Sequence, residues 1–467
     1  MGVEGLSGNQ KEKVLNLAKK FKSLFSDSPG KVTGFSHQIR MKEGEEFKNP
    51  PQYRVPEKLK EKLHEQIEDL AKQGIIEKCK VEAASPIVLV PKKDRTLRLC
   101  VDYRALNKVI KGDAYPMKNM TDLLARVSGA QYISCFDLKQ GYYQIPLAKE
   151  CRGLTAFNTG NGTYQFNVLP FGIKDAPASF QRFADVVLRD LPFALAYLDD
   201  FAVVSSTWEE HLRHIEQLFE RCGGLNITFN AQKSQIGLRE VKYLGHIAGS
   251  GQLKPDPEKL EAVQKILTPK TKKQVRSLLG LAGYYRQFLA NFAKIAKPLT
   301  ELTKKSAPIK VEWTADADEA LQKLKEGLCA ASALHAPDFN KPFIIATDAS
   351  DDAIGACLSQ ENAEGQIIPI AWASAKLTPT QRNWAVIEGE AYAITWALDK
   401  WDSWIYGGKV TLDTDHNPLT YIRNCTPSNP KLVRWALALE RYDLSVRCKK
   451  ESANANADAL SRLPNGS

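Results

Sequence analysis

The sequence predicts an α+β chain of two or three domains, with two acidic centres carried on strands. Three observations support this. The chain has 467 residues, 43% hydrophobic and 25% charged, which is ordinary globular material long enough for more than one core. The stretch from Ala194 to Val204 places two apolar, β-favouring runs around the pair Asp199-Asp200, which fits a hairpin with the acids at its tip and with 193–204 buried on both sides. Far downstream, Pro342 to Ser350 reads as a strand that delivers Asp348, with 353–359 as its hairpin return.

In chain order, residues 1–45 predict a helix and a Gly/Pro/Ser-containing connector, with no chemistry assigned. A helix follows from Pro56 to about Gln73. Residues 85–93 and 97–104 predict two strands joined by a basic turn at Asp94-Arg95, and a hairpin tipped with lysine and arginine suits phosphate. The run from Tyr132 to Leu138 is strand-like and ends in Asp137, a third carboxylate. Adjacent carboxylates repel, and a divalent ion removes that penalty. Three of them can hold two magnesium ions about 4 Å apart. The segment from Gln140 to Ile145 carries Tyr142 and Tyr143. Extended backbone there would send them to opposite faces, with Tyr143 the core residue. A loop from Leu169 to Pro177 leads into a helix from Ala178 to Leu188. His211 and His214 lie one turn apart without further zinc ligands and read as surface; His246 reads as packed. From Lys270 to Leu289 the helical spacing puts Val275, Leu278, Leu279, Ala282, Tyr285 and Leu289 on one side, with Lys272, Lys273 and Arg276 outside. The stretch 297–313 reads as a linker, followed by one helix to about Ala330.

Composition narrows the partners. Lys and Arg total 64 against 54 Asp and Glu, a formal charge of +10 spread along the chain, which suits a long polyanion better than a membrane patch. No apolar run approaches the roughly 20 residues of a membrane span. Nine cysteines without a Cys-x-x-Cys pair suit a reducing intracellular compartment.

The ordered set of motifs resembles the reverse transcriptase and ribonuclease H of gypsy-type LTR retrotransposons, from about Leu17 to the Ala457-Asp458-Ala459-Leu460-Ser461-Arg462 segment. It rests on Phe136-Asp137-Leu138, Gln140-Gly141-Tyr142-Tyr143, Leu169-Pro170-Phe171-Gly172, Tyr197-Leu198-Asp199-Asp200, Tyr243-Leu244-Gly245-His246, Thr347-Asp348-Ala349-Ser350, Gly389-Glu390-Ala391 and Thr414-Asp415-His416. Phe171 stands where retroviral relatives usually carry Gln. The resemblance implies a right-hand polymerase of fingers, palm and thumb followed by an α/β ribonuclease H-like domain, with no separate connection domain. The implied divisions are an N-terminal arm (1–45), fingers and palm (46–245), thumb and linker (246–310) and ribonuclease H with its lead-in helix (311–467).

The implied activities are RNA- and DNA-directed DNA synthesis and cleavage of the RNA strand of RNA/DNA hybrids. Asp137, Asp199 and Asp200 would hold two Mg2+ for synthesis; Asp348, Glu390, Asp415 and Asp458 would hold two for cleavage, with Mn2+ as a substitute. Helical periodicity places Glu388 and Glu390 alike, and only the resemblance selects Glu390. Lys92, Arg98, Leu138, Tyr142 and Phe171 would contact the incoming dNTP, with Tyr142 as the wall that excludes ribonucleotides. Tyr243, Leu244 and Gly245 would grip the primer, and Lys272, Lys273 and Arg276 the duplex. Implied partners are an RNA template, a DNA primer, the hybrid, a priming RNA of the tRNA type, dNTPs and a second copy in a homodimer, in a cytoplasmic virus-like particle or the nucleus. No protease or integrase motif is present, so the chain reads as one piece of a larger polyprotein. The rival readings are an inactive nucleic-acid-binding derivative and an integrase-type nuclease; seven intact acidic positions oppose the first and the polymerase half opposes the second.

Overall fold

The computed structural model describes residues 2–3, 5–91, 97–308, 310–414 and 430–448, and the chain divides into two compact units, Met1–Leu244 and Gly245–Ser467. In the first, Ala194–Tyr197 turns back as Asp200–Ser205, which pairs antiparallel with Tyr132–Asp137, itself paired with Gln235–Leu238. Ala194, Leu195, Ala196, Phe201, Ala202 and Val203 are buried, so both faces of the hairpin are covered, as its apolar flanks predict. The Ala176–Val187 and Trp208–Gly224 helices pack on these strands. Beneath them, the Phe136 ring meets those of Phe219 and Phe229 at 5.2 Å, an aromatic anchor for the strand that ends in Asp137.

The histidines of the Trp208–Gly224 helix correct the surface reading. His211 is fully buried, bonded through Nε2 to Ser134 Oγ at 2.7 Å and through Nδ1 to Ser205 Oγ at 2.9 Å. Burial pushes its pKa down to about 3, so it is a neutral bridge between two strands. His214 bonds Ser205 at 2.8 Å and stacks flat on Phe193 at 3.9 Å.

The N-terminal segment is part of this unit's core. Ser7 and Gln10 form a capping box on the Gly8–Lys20 helix, and Leu6, Val14, Leu24, Val32 and Ile39 are buried in the common cluster. Gly30 donates its N–H to Thr228 Oγ1 at 2.8 Å, and a Cβ there would fall 2.0 Å from the Asn226 carbonyl oxygen, so the strap passes this closely only as glycine. The helix Glu57–Lys72 and the hairpin Ile87–Pro91/Leu97–Val101 stand where the sequence placed them. The hairpin's tip, with Lys92, Asp94 and Arg95, lies outside the described residues.

The second unit joins a helical segment to a five-stranded sheet. The Lys272–Tyr284 helix, capped by Thr271 and Gln274, buries Val275, Leu278 and Ala282; Tyr285 and Leu289 beyond it are also buried, and Leu279 is half-buried. The expected linker is not a bare connector. Lys297–Glu301 is helical, because Pro298 sits in the first turn, where a missing N–H costs nothing. Lys297 pairs with Asp352 at 2.5 Å, Glu301 with Lys376 and Lys304, and Ser374 accepts from Arg286 on its carbonyl and from the Ala293 N–H on its hydroxyl. The sheet runs Ile367–Lys376, Ala353–Glu361, Phe343–Ala349, Lys409–Thr414 and Asp443–Cys448, the first three antiparallel and the last two added in parallel. Helices Val386–Lys400 and Pro430–Leu439 pack against each other, and the former against Phe343–Ala349. Among the described residues no helix is long and apolar enough to cross a membrane.

Candidate active sites

The first site is built by strand pairing. Asp137 and Asp200 are register partners on adjacent strands, and Asp199 sits in the two-residue turn closed by the Tyr197–Asp200 pair. The turn is tight: Leu198 takes φ 54°, a left-handed conformation that costs a leucine about 1–2 kcal/mol unless its surroundings hold it. Leu138 donates its N–H to the Asp199 carbonyl at 3.4 Å, tying the end of one strand to the turn. Gly141 closes the floor, since a Cβ there would meet Phe180 at 3.1 Å and both Asp199 and Leu138 at 3.2 Å.

Asp199 and Asp200 are electrostatically frustrated. Burial first, and then Asp199 and Asp137, raise Asp200 to about 6; burial first, and then the charge of Asp137, also raise Asp199. Asp200 still reaches solvent at its outer edge. Lys233 stands 3.3 Å from Asp137 Oδ2 and opposes these shifts. Among the described residues no three His, Cys, Asp or Glu side chains close into a preformed cage. The donor set nonetheless fits a hard divalent cation: oxygen donors only, mutually repelling, at the exposed end of a rigid hairpin.

Around the acids, the Tyr142 ring packs tilted at 4.8 Å against both Phe171 and Phe180, and Tyr143 lies 5.5 Å from Phe171 and 6.0 Å from Phe166. The extended-backbone expectation fails here. Gln140 takes φ 49° and Gly141–Gln144 is a 3-10 turn, so the tyrosines do not alternate between faces, and both are half-buried. Both phenols are pushed up to about 12 by burial; Asp199 adds to this at Tyr142, whereas Arg98 opposes it at Tyr143. The turn thus gathers Tyr142, Tyr143, Phe171 and Asp199, with the exposed Arg98 of the neighbouring hairpin beside Tyr143.

Tyr243 is buried, its hydroxyl has no partner among the described residues, and burial with nearby Cys135 and Asp200 holds it well above the usual phenol range. Leu244 and Gly245 follow with φ 44° and 66°, the signature of a tight two-residue turn. The Gly245 carbonyl accepts from Tyr285 at 2.8 Å, and His246 is buried against Tyr284, Tyr285 and Phe288. Of the basic trio, Lys272 and Arg276 donate to the Lys304 and Thr303 carbonyls at 2.6 and 3.1 Å, whereas Lys273 is exposed.

The second site is described in part. Asp348 stands near the end of Phe343–Ala349 opposite Gly355. A Cβ on Gly389 would meet that of Ala349 at 3.8 Å, so the helix carrying Glu390 passes close to the same strand end. Glu388 pairs with Lys431 at 2.8 Å, itself 4.2 Å from the Trp384 ring centre. Asp415, His416 and Asp458 lie outside the described residues.

Sequence reasoning passed over Lys233 and Gln181. Gln181 is fully buried and accepts from the Leu198 N–H at 3.1 Å. The signal for it was a long polar side chain, with Ser179 the only other polar residue, on the otherwise apolar buried face of the Ala176–Val187 helix.

Residues 90–248 match the family model described as reverse transcriptase (RNA-dependent DNA polymerase), and residues 338–442 match the RNase H-like domain found in reverse transcriptase. Among curated relatives, the retrovirus-related Pol polyproteins of the Drosophila melanogaster transposons 412, opus and gypsy are 35%, 38% and 36% identical, over 97%, 88% and 86% of this chain. The chain spans only 37%, 43% and 40% of their lengths. Among solved structures, the foamy viral protease-reverse transcriptase in complex with RNA/DNA hybrid superposes with a TM-score of 0.82 at 25% identity, covering 99% of this chain and 63% of that one. The same protein in complex with dsDNA gives 0.85 at 25%, covering 96% and 95%.

Proposed function

We propose, from the premise that this chain belongs to the LTR-retrotransposon reverse transcriptases that carry an RNase H-like domain, that it copies RNA and DNA templates into DNA and cleaves the RNA strand of the hybrid. The observation that carries the polymerase reading is the pairing of Asp137 with Asp200 beside Asp199, three crowded carboxylates at the tip of a rigid buried hairpin. These families depend on divalent metals. Asp137, Asp199 and Asp200 would hold two Mg2+, and Asp348, Glu390, Asp415 and Asp458 two more, with Mn2+ able to substitute. Such ions supply activation of the attacking hydroxyl or water and neutralise charge on the leaving group.

The chain's own residues do the rest. Arg98 and Lys92 orient the triphosphate of a dNTP, Leu138 supports it through its backbone, and the Tyr142 ring, packed against Phe171, walls off the 2′ position of the sugar. Tyr243, Leu244 and Gly245 shape the turn that holds the primer end, and the basic face around Lys273, with Lys272 and Arg276, follows duplex phosphates. In this reading fingers and palm span 46–245 behind the N-terminal segment 1–45, thumb and linker 246–310, and ribonuclease H 311–467. The partners are an RNA template, a DNA primer, the hybrid, a priming RNA of the tRNA type and a second copy in a homodimer, within a cytoplasmic virus-like particle or the nucleus. Primer extension on an RNA template with and without Mg2+ tests the reading. Metal-dependent extension is expected, and no extension by folded protein that binds primer-template overturns it.

A further inference from the structure

Leu198 cannot hold its left-handed turn unaided, and the structure supplies a specific brace. Gln181 accepts from the Leu198 N–H at 3.1 Å, and its amide nitrogen faces the Ala196 carbonyl at 3.5 Å, so one buried side chain grips the hairpin on both sides of Tyr197. A flipped amide would set donor against donor at the Leu198 N–H and acceptor against acceptor at the Ala196 carbonyl, so the hairpin itself selects this orientation. Asp185, one helical turn on, whose carboxylate only accepts, takes the Gln181 amide N–H at 3.2 Å and anchors the side chain in that pose. Asp185 is pinned in turn by the Tyr115 hydroxyl at 2.7 Å and Lys118 Nζ at 2.6 Å. Arg182, lying over the Tyr115 ring at 4.7 Å, pairs with Asp113 at 2.8 Å, so the 113–118 segment grips the helix at both Arg182 and Asp185.

We infer that Gln181 and Asp185 are positioning residues for the polymerase reaction. Asp185 anchors the Gln181 side chain in the pose the hairpin needs, and Gln181 fixes the turn that presents Asp199 and Asp200. This rests on the polymerase reading of the site. Neither residue touches substrate; both act through the Leu198 peptide. The relay joins residues far apart in sequence, from Asp113 to Leu198, and ends beside the acidic pair.

The test combines hydrogen exchange at the Leu198 amide with primer-extension kinetics in Gln181→Ala, Asp185→Ala and the double variant. Exchange at Leu198 is expected to quicken in all three. The rate constant kcat should fall about tenfold with little change in KM for the dNTP, because the turn orients reacting groups and does not hold the base. The double variant should lose no more than Gln181→Ala alone, since both substitutions break one path. Exchange at the wild-type rate in the single variants, or losses that multiply, would overturn the relay. If Gln181→Ala does not fold, Asp185→Asn decides: its near-isosteric amide has one acceptor oxygen where the carboxylate takes Gln181, Lys118 and Tyr115 on two, so it loosens the anchor and should still quicken Leu198 exchange, whereas wild-type exchange there refutes the inference. Hybrid cleavage should stay unchanged throughout. The exchange readout separates the two claims: wild-type protein that fails to extend primers sinks the polymerase reading, whereas normal extension with an unperturbed turn sinks only the relay.

Discussion

Asp200→Asn should stabilise the fold while destroying the proposed synthesis. The Asp200 carboxyl rises from its ordinary 3.8 to about 6 through burial and the neighbouring Asp199 and Asp137. A folded pKa raised above the unfolded one means that the ionised form is penalised in the folded state. The penalty is complete above about pH 6, shrinks as pH falls through about 6, and is gone below about 3.8. At face value the shift corresponds to about 3 kcal/mol. The side chain reaches water, and solvent screening reduces this to about 1 kcal/mol. A unit of this size should gain about 2–4 °C in Tm from that relief. The assay is thermal unfolding of wild type and Asp200→Asn at pH 7.5 and pH 4, with chelator. The variant should be the more stable at pH 7.5 and indistinguishable at pH 4. Equal or lower Tm at pH 7.5 would show that the carboxylates are not frustrated and would remove the electrostatic case for a cation there.

Three further outcomes follow from the geometry. Asp199→Asn should abolish DNA synthesis and spare hybrid cleavage, and Asp348→Asn the reverse, measured on one preparation that still binds hybrid; loss of both activities from either change contradicts two independent sites. Tyr142→Val should lower the dNTP-to-rNTP ratio of kcat/KM by tenfold or more, on the order of one lost steric contact, while Tyr143→Val should act mainly on stability; an unchanged ratio in the first means that the wall is elsewhere. Hybrid affinity should fall linearly with log salt, and Lys273→Ala should reduce the slope by about one. Lys272→Ala, which removes a donor already bonded to the Lys304 carbonyl, should reduce it less, as a filter-binding salt series would show.

What was legible in the sequence was whatever periodicity or adjacency encodes. The acidic hairpin announced itself because small, apolar and β-favouring residues flank Asp199-Asp200 on both sides, and the helix Glu57–Lys72 fell within a residue of its expected bounds. The errors share a cause. Tyr143 was misjudged because one left-handed residue, Gln140, replaces strand alternation with a 3-10 turn, and nothing in a Gln-Gly dipeptide compels that. His211 looked like a surface histidine because its serine partner at Ser134 is 77 residues away. Lys233 meets Asp137 across 96 residues. Such contacts exist only once the strands have found their register, so no local pattern foreshadows them. Glu388 and Glu390 are equivalent by helical angle, and the ion pair of Glu388 with Lys431 forms only once the two helices that carry them have packed.

The ties of Lys297 and Glu301 to the sheet bear on where this chain can be cut. A truncation placed in the proline- and lysine-containing stretch before Trp313 looks harmless on paper, as though it severed a tether between modules. It would instead leave Lys297, Glu301 and Arg286 without Asp352, Lys376 and the Ser374 carbonyl, and would strip the side of the helical segment that those groups face. A fragment ending there carries a raw, charged wound and should aggregate or unfold locally. For protein engineering, then, the helical segment and the nuclease-like sheet are one inherited part, exchangeable between relatives together and not singly.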